Sequence, residues 1–261
     1  MSEKIGIIDS GIGGFTLLNE LFSRSYFCQY YYISDNENVP YGTKSQLFML
    51  QRVRLMVNKL KQKKIQTIVI ACNTLTAETI EQLREEFHEL NFIGIEPYLN
   101  YFNKNEICNN KKMALILTEA TYKSLRFTKL RKRVDPTQKI LTYPLANLAS
   151  LIEGMESRHC IENLKQEIDT ELAFLHSSNI DYLILGCTHY PIIKKYIEKT
   201  YDLQTLDPNK EVVDRIVQVA ALAKSTDCNS FYYNPNLSHD WQCLSLTNIN
   251  IFTKLFRTYG N

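Results

Sequence analysis

Short apolar runs rich in β-branched residues recur along the chain, separated by segments whose apolar residues have helical spacing. Such runs predict seven strands, at 4–9, 30–34, 67–71, 92–96, 113–118, 139–144 and 182–186. Helical spacing predicts four helices, at 45–64, 74–90, 161–176 and 211–224. Strands that alternate with helices are typical of mainly parallel sheets covered on both faces. The pattern therefore predicts an α/β fold.

Two of the predicted strands end in the same way. In TIVIACNTLTA (67–77) and YLILGCTHYPI (182–192), a small residue and a cysteine follow the strand, with a threonine within two positions. KIGIIDSG and MALILTEA form a weaker pair. This repeated pattern predicts two pseudo-symmetric lobes, each a mainly parallel sheet flanked by helices. Ligands of open α/β sheets bind beyond the carboxyl ends of strands, so both cysteines are expected at the cleft between the lobes.

The same repeated pattern predicts how the chain divides into domains. One lobe is expected to comprise 1–97 together with 211–261, and the other 98–210. The chain would then cross between the lobes near 96–100 and return near 206–210, so the C-terminal segment is expected to rejoin the first lobe.

Composition and charge narrow the class of protein. The chain has 261 residues, 44% of them hydrophobic, which is enough for a real core. Its net charge is +2, with acids and bases interspersed, so no nucleic-acid or membrane partner is expected. No apolar segment approaches the roughly 18 residues of a membrane-spanning helix, and an Asp soon interrupts the first apolar run. We expect a cytoplasmic protein.

Seven cysteines form no CxxC pair, and their odd number argues against a complete disulfide framework. We expect free thiols, as in a reducing compartment. His159 and Cys160 adjoin, but no second pair lies at ligand spacing, so no metal is expected.

Two thiols that face each other across a cleft have a specific use. A thiolate is a good base near neutral pH, since the free thiol has a pKa of about 8.5 that shifts readily. With Cys72 and Cys187 on opposite faces of a substrate carbon, one could remove a proton and the other deliver one to the opposite face. That arrangement inverts a stereocentre, whereas a single thiol tends to return the proton to the face it left.

Polar residues at the first strand end suggest a carboxylate site. DSGIGG (9–14) departs from the nucleotide-binding GxGxxG pattern because Thr16 stands where its last glycine would be. Asp9 would also repel a phosphate, so the turn better suits a carboxylate held by backbone N–H groups and the Ser10 hydroxyl. Asp9 is a candidate proton partner of Cys72, or else a cap of the following helix.

Further donors follow the two cysteines. Asn73 and Thr74 come after Cys72, and Thr188 and His189 come after Cys187. Neutral donors at helix N-termini can hold a carboxylate without arginine. His189 could exchange protons with Cys187 or be a structural histidine. Thr74 or Thr76 is the predicted N-cap of the helix that follows Cys72.

Four segments together resemble a known family. IGIIDSGIGG, VPYGTKS, IVIACNTLTA and LILGCTHYP appear in the order, and at roughly the spacing, of the glutamate racemases, within the aspartate/glutamate racemase superfamily. Each segment alone is weakly specific, whereas the four together are highly specific. The resemblance implies interconversion of L- and D-glutamate without pyridoxal phosphate, metal or other cofactor. It also implies D-glutamate supply for peptidoglycan and a homodimer.

The resemblance assigns roles to individual residues of this chain. Cys72 and Cys187 resemble the two acid/base thiols, with Asp9 and His189 as their supporting groups. The residues that resemble the substrate-binding set are Asp9, Ser10, Pro40, Tyr41, Gly42, Asn73, Thr74, Thr121, Glu153, Thr188 and His189.

Departures from the family pattern leave alternatives open. Relatives commonly read IGTxATI, where this chain has Leu117 in place of the glycine and Tyr122 in place of the last isoleucine. The segments IEPYLNYF and TLDPNKEV and the tail from about 228 also differ. A racemase of aspartate or other acidic amino acids and a non-catalytic binding paralogue therefore stay open. A cysteine hydrolase would leave the second cysteine idle.

Overall fold

A computed structural model of the chain describes residues 3–24, 26, 28–99, 111–157, 161–224 and 230–244. Within these ranges the strands form two separate sheets. Cys108, His159, Cys160 and Cys228 lie outside the described residues, so the expectation of no metal at His159–Cys160 stays a prediction. The end of the divergent tail, 245–261, lies outside them as well.

The first sheet has six strands in the order β10-β9-β2-β1-β3-β4. All its pairs are parallel except β9 with β10. Its strands are β1 (Glu3–Asp9), β2 (Cys28–Ser34), β3 (Thr67–Ile70), β4 (Asn91–Gly94), β9 (Ser230–Asn234) and β10 (Gln242–Leu244). Its helices are α1 (Phe15–Ser23), α2 (Gln46–Lys61), α3 (Asn73–Glu86) and α9 (Asn209–Ala220).

The second sheet has four parallel strands in the order β6-β5-β7-β8. They are β5 (Met113–Thr118), β6 (Leu141–Leu145), β7 (Tyr182–Leu185) and β8 (Gln204–Leu206). The helices of this lobe are α4 (Glu119–Lys123), α5 (Leu125–Val134), α6 (Leu148–Glu153), α7 (Ile161–Glu171) and α8 (Lys194–Tyr201).

Helices cover both faces of each sheet. In the first lobe, α1 and α9 pack on one face of the sheet, with Val213 and Ile216 in one core with Leu17, and α2 and α3 pack on the other. The second lobe likewise has a core on each face of its sheet. The predicted α/β fold with two lobes is confirmed, whereas the boundaries at 97/98 and 210/211 stay a prediction. No helix in the described ranges is both long and apolar enough to cross a membrane.

All seven predicted strands and all four predicted helices are confirmed, with shifts of a few residues at their ends. The predicted N-cap of α3 is wrong. The helix begins at Asn73, and Cys72 is its N-cap, with the sulfur accepting a hydrogen bond from the N–H of Leu75 at 3.5 Å. The sequence pattern did not predict α1, α4, α5, α6, α8, β8 or the hairpin of β9 and β10.

The strand ends of both lobes carry the candidate residues in matching order. β1 and β3 are neighbours in the first sheet, as β5 and β7 are in the second. Asp9 is the last residue of β1, and Cys72 follows β3 by two positions. In the second lobe, Thr118 ends β5, and Cys187 follows β7 by two positions. The fold therefore repeats one arrangement of strand ends in the two lobes.

Candidate active site

The two cysteines are buried free thiols at corresponding strand ends. Cys72 is 5% exposed and Cys187 is 7% exposed. Each follows a parallel strand that is buried on both faces, which explains the continuous apolar runs before them. Solvent therefore reaches neither sulfur freely.

Cys72 lies beside the polar end of β1. Its thiol contacts the Ser10 hydroxyl at 3.8 Å. Burial, followed by the nearby Asp9 carboxylate, raises the pKa of the Cys72 thiol, and Cys187 adds to the effect. Asp9 itself is fully buried, and burial raises the pKa of its carboxyl group to about 7. Burial therefore favours the neutral, protonated forms of the Cys72 thiol and the Asp9 carboxyl group.

Cys187 has a different environment. Its sulfur lies 3.6 Å from His189 Nδ1, and Nε2 of the same ring lies 2.5 Å from the Glu153 carboxylate. Burial disfavours the charged imidazole, but the hydrogen bonds to Cys187 and Glu153 outweigh it and raise the pKa of His189 well above its usual value. A protonated imidazole beside a cysteine stabilises negative charge on the sulfur. The pseudo-symmetric lobes thus give their two thiols opposite electrostatic environments.

The glycine turn after β1 lies directly against the second lobe. A Cβ added to Gly11 would lie 2.3 Å from a Glu153 carboxylate oxygen, and one added to Gly13 would lie 2.5 Å from Thr188 Oγ1. The N–H of Ile12 donates to Glu153 at 3.1 Å, and the N–H of Gly11 donates to Asp9 at 2.8 Å. Two backbone donors expected for a substrate carboxylate therefore already serve protein carboxylates, and the glycines allow the lobes to touch.

Three buried threonines join the lobes on another side of the cleft. The Thr74 hydroxyl lies 3.0 Å from that of Thr118 and 3.3 Å from that of Thr121, and Thr118 and Thr121 are 2.9 Å apart. Sequence reasoning identified Thr74 and Thr121 but missed Thr118. The weak pair KIGIIDSG and MALILTEA held the signal, because it aligns Thr118 with Asp9.

Other predicted substrate-binding side chains have partners within the protein. The Tyr41 hydroxyl donates to Asp35 at 2.5 Å, and Asn73 Nδ2 donates to the Ile95 carbonyl at 3.5 Å. Thr188 donates to Asp9 at 3.3 Å, across the lobes. Pro40 and Gly42 line a crevice of about 470 Å³ that Thr118 lines from the second lobe. Any contact of Tyr41 with a ligand in this arrangement would be made by its backbone.

The surroundings of the two thiols define the class of site. Two buried thiols lie at matching strand ends of the two lobes, one beside Ser10 and Asp9 and the other beside a histidine–carboxylate pair. Within the described ranges, no cluster of three or more His, Cys, Asp or Glu side chains could hold a metal ion. The arrangement can support acid/base chemistry by paired thiols.

Comparison with known proteins identifies the family. The model of the Asp/Glu/Hydantoin racemase family matches residues 24–216. A glutamate racemase from Fusobacterium nucleatum subsp. nucleatum is 34% identical over 220 residues, which cover 83% of this chain and 81% of that protein. The chain belongs to the Asp/Glu/hydantoin racemase family.

Solved structures show the same fold. A glutamate racemase isoform from Bacillus anthracis is 28% identical and superposes with a TM-score of 0.75, covering 98% of this chain and 94% of that one. The glutamate racemase of Francisella tularensis subsp. tularensis in complex with D-glutamate is 27% identical, with a TM-score of 0.69 and coverage of 89% and 87%. The match extends through both lobes.

Proposed function

We propose that the protein interconverts L- and D-glutamate by proton transfer at Cα between two thiols, without a cofactor. The observation that carries this proposal is the pairing of Cys72 and Cys187 at matching strand ends with unlike partners. Relatives named as glutamate racemases, one with D-glutamate bound, support glutamate as the substrate.

The unlike partners of the two thiols suggest the direction of each step. The positively charged His189 imidazole lies beside Cys187, whereas burial raises the pKa of the Cys72 thiol. Cys187 therefore takes the Cα proton of L-glutamate, and Cys72 donates its own proton to the opposite face, giving D-glutamate. Afterwards Cys187 is a thiol and Cys72 a thiolate, which is the state that D-glutamate needs for the reverse reaction.

The polar residues of the cleft are proposed to hold the substrate. Asp9 and His189 assist Cys72 and Cys187, with Glu153 keeping His189 charged. The donors proposed for the carboxylates and ammonium of glutamate are Ser10, Asn73, Thr74, Thr121 and Thr188, together with the turn Pro40, Tyr41 and Gly42. By resemblance, we further propose a cytoplasmic homodimer that supplies D-glutamate for peptidoglycan.

Two departures from the family pattern leave the proposed substrate unchanged. Leu117 is fully buried in the core beneath α5, together with Phe127. Tyr122 is 39% exposed, with its ring 6.0 Å from that of Phe127. Neither side chain is part of the cluster formed by Asp9, the two cysteines and their partners. These positions therefore give no reason to prefer aspartate over glutamate.

Isotope exchange tests the proposal directly. The protein is incubated with L- or D-glutamate in D2O without cofactor, and circular dichroism and loss of the Cα–H signal are followed. We expect racemisation with deuterium at Cα, abolished by Cys72→Ser and by Cys187→Ser. Activity that survives both substitutions would exclude the two-thiol mechanism. Exchange with aspartate alone would change the substrate, and no exchange with any acidic amino acid would favour a binding protein.

A further inference from the structure

Asp35 is a buried carboxylate with an unusually full set of donors. It directly follows β2 and has no exposed surface. Arg52 on α2 binds it in a bidentate manner, through Nε at 2.8 Å and Nη2 at 2.6 Å. Asn38 Nδ2 lies 3.0 and 3.1 Å from its two oxygens. Burial alone would raise the pKa of Asp35, but Arg52 and the other donors lower it, so the carboxylate stays charged.

A further donor to Asp35 belongs to the Pro40–Gly42 turn, which lines the crevice beside Thr118. The Tyr41 hydroxyl donates to Asp35 at 2.5 Å, and Tyr41 is 1% exposed. Burial and the Asp35 carboxylate raise the pKa of Tyr41, so the phenol stays a donor. Gly42, the next residue, lies against the second lobe, since a Cβ on it would lie 3.4 Å from Thr118 Cβ. The Asp35 carboxylate therefore ties the backbone of this turn to α2.

A second set of contacts holds the segment that carries Asp35. The N–H of Asn36 donates to the Pro235 carbonyl at 3.2 Å, and Asn36 Nδ2 donates to the Tyr233 hydroxyl at 3.1 Å. Asn236 Nδ2 donates to Glu37 at 3.0 Å. The hairpin of β9 and β10, which falls in the divergent tail of the sequence, thus supports the strand end from its other side.

We propose that Asp35 and Arg52 are positioning residues, which act through the Tyr41 hydroxyl to hold the Pro40–Gly42 turn against the second lobe for substrate binding. This inference rests on the proposed racemase function. Neither side chain is assigned a contact with substrate. Their effect should therefore appear mainly in KM, because a displaced turn weakens binding of substrate and transition state alike.

Tyr41→Phe is the mildest test, because it removes one hydroxyl and leaves the Asp35–Arg52 pair intact. We expect KM for both enantiomers to rise about tenfold, as for loss of one hydrogen bond to a charged group, with kcat within about twofold. Arg52→Gln should raise KM further, and Arg52→Lys should restore part of the loss, because lysine keeps the charge without the planar fork. Since the products are mirror images, kcat/KM must fall equally in both directions.

Arg54→Gln is the matched control. Arg54 lies on the same helix and pairs with Glu86 on α3 at the surface. Its loss should leave KM and kcat within about twofold of wild type. Folded Tyr41→Phe and Arg52→Lys proteins with wild-type KM would overturn the proposal, as would a fall in kcat alone. A wild-type protein without racemase activity would instead refute the proposed function, so the two failures are distinguishable.

Discussion

Gly13 lies directly against Thr188 and His189 of the second lobe, so Gly13→Ala tests the contact between the glycine turn and that lobe. A Cβ there would lie 2.5 Å from Thr188 Oγ1 and 2.8 Å from His189 Nδ1. Gly13 does not have a positive φ, so alanine suits its backbone and only the interlobe contact changes. Restoring an ordinary 3.4 Å contact requires a separation of about 0.9 Å. A displacement of about 1 Å at a catalytic site can cost about 100-fold in rate, or about 2.7 kcal/mol.

Racemisation kinetics followed by circular dichroism measure this effect. We expect kcat/KM of Gly13→Ala to fall about 100-fold in both directions, with the fold retained. Gly6→Ala is the matched control, because its Cβ would lie 2.8 Å from the flexible Leu60 side chain inside the first lobe. It should lower the melting temperature and leave kcat/KM unchanged. A folded Gly13→Ala protein whose kcat/KM is within about threefold of the wild-type value would refute the need for this contact during catalysis.

Two further predictions concern stability. Thr118→Val keeps the side-chain shape but removes the hydroxyl shared with Thr74 and Thr121, so urea unfolding should show a loss of about 1–2 kcal/mol; an unchanged midpoint would contradict it. Burial raises the pKa of Asp9 from 3.8 to about 7, so its contribution to stability is fully present below about pH 4 and is lost as the pH rises through 7. The melting temperature of Asp9→Asn minus that of wild type should therefore be larger at pH 8 than at pH 5. Equal differences at the two pH values would show that Asp9 does not titrate in this range.

The sequence pattern located the central strands because they are buried on both faces. β3 and β5 have no exposed residue, so each reads as a continuous apolar run. β8 and β10 have three residues each and lie at sheet edges, and β9, beside β10, has a polar residue at each end. Short or edge strands bury less apolar surface, and their pattern is correspondingly weak. The supporting hairpin beside Asp35 was missed for this reason.

The cap of α3 shows how a local rule can fail at a site. Threonine is a common N-cap and cysteine is not, so the pattern favoured Thr74 or Thr76. In the structure, Thr76 instead donates to the Ile70 carbonyl and accepts from the N–H of Ile95. Cys72 is the N-cap instead, and its sulfur lies at the N-terminus of the helix. The helix dipole there favours negative charge on the sulfur, opposing the effect of burial.

The difference between the two thiols could not be read from the repeated pattern, because it depends on contacts between distant residues. The pattern repeated at 67–77 and 182–192 places Cys72 and Cys187 at equivalent positions after a strand. Their partners are not equivalent, since Glu153 reaches His189 from the end of α6 and also binds the N–H of Ile12 in the other lobe. Such contacts join residues up to 141 positions apart, and no local periodicity encodes them. Pseudo-symmetry therefore supplies two thiols at equivalent strand ends, and the contact of Glu153 with His189 gives them different electrostatic surroundings.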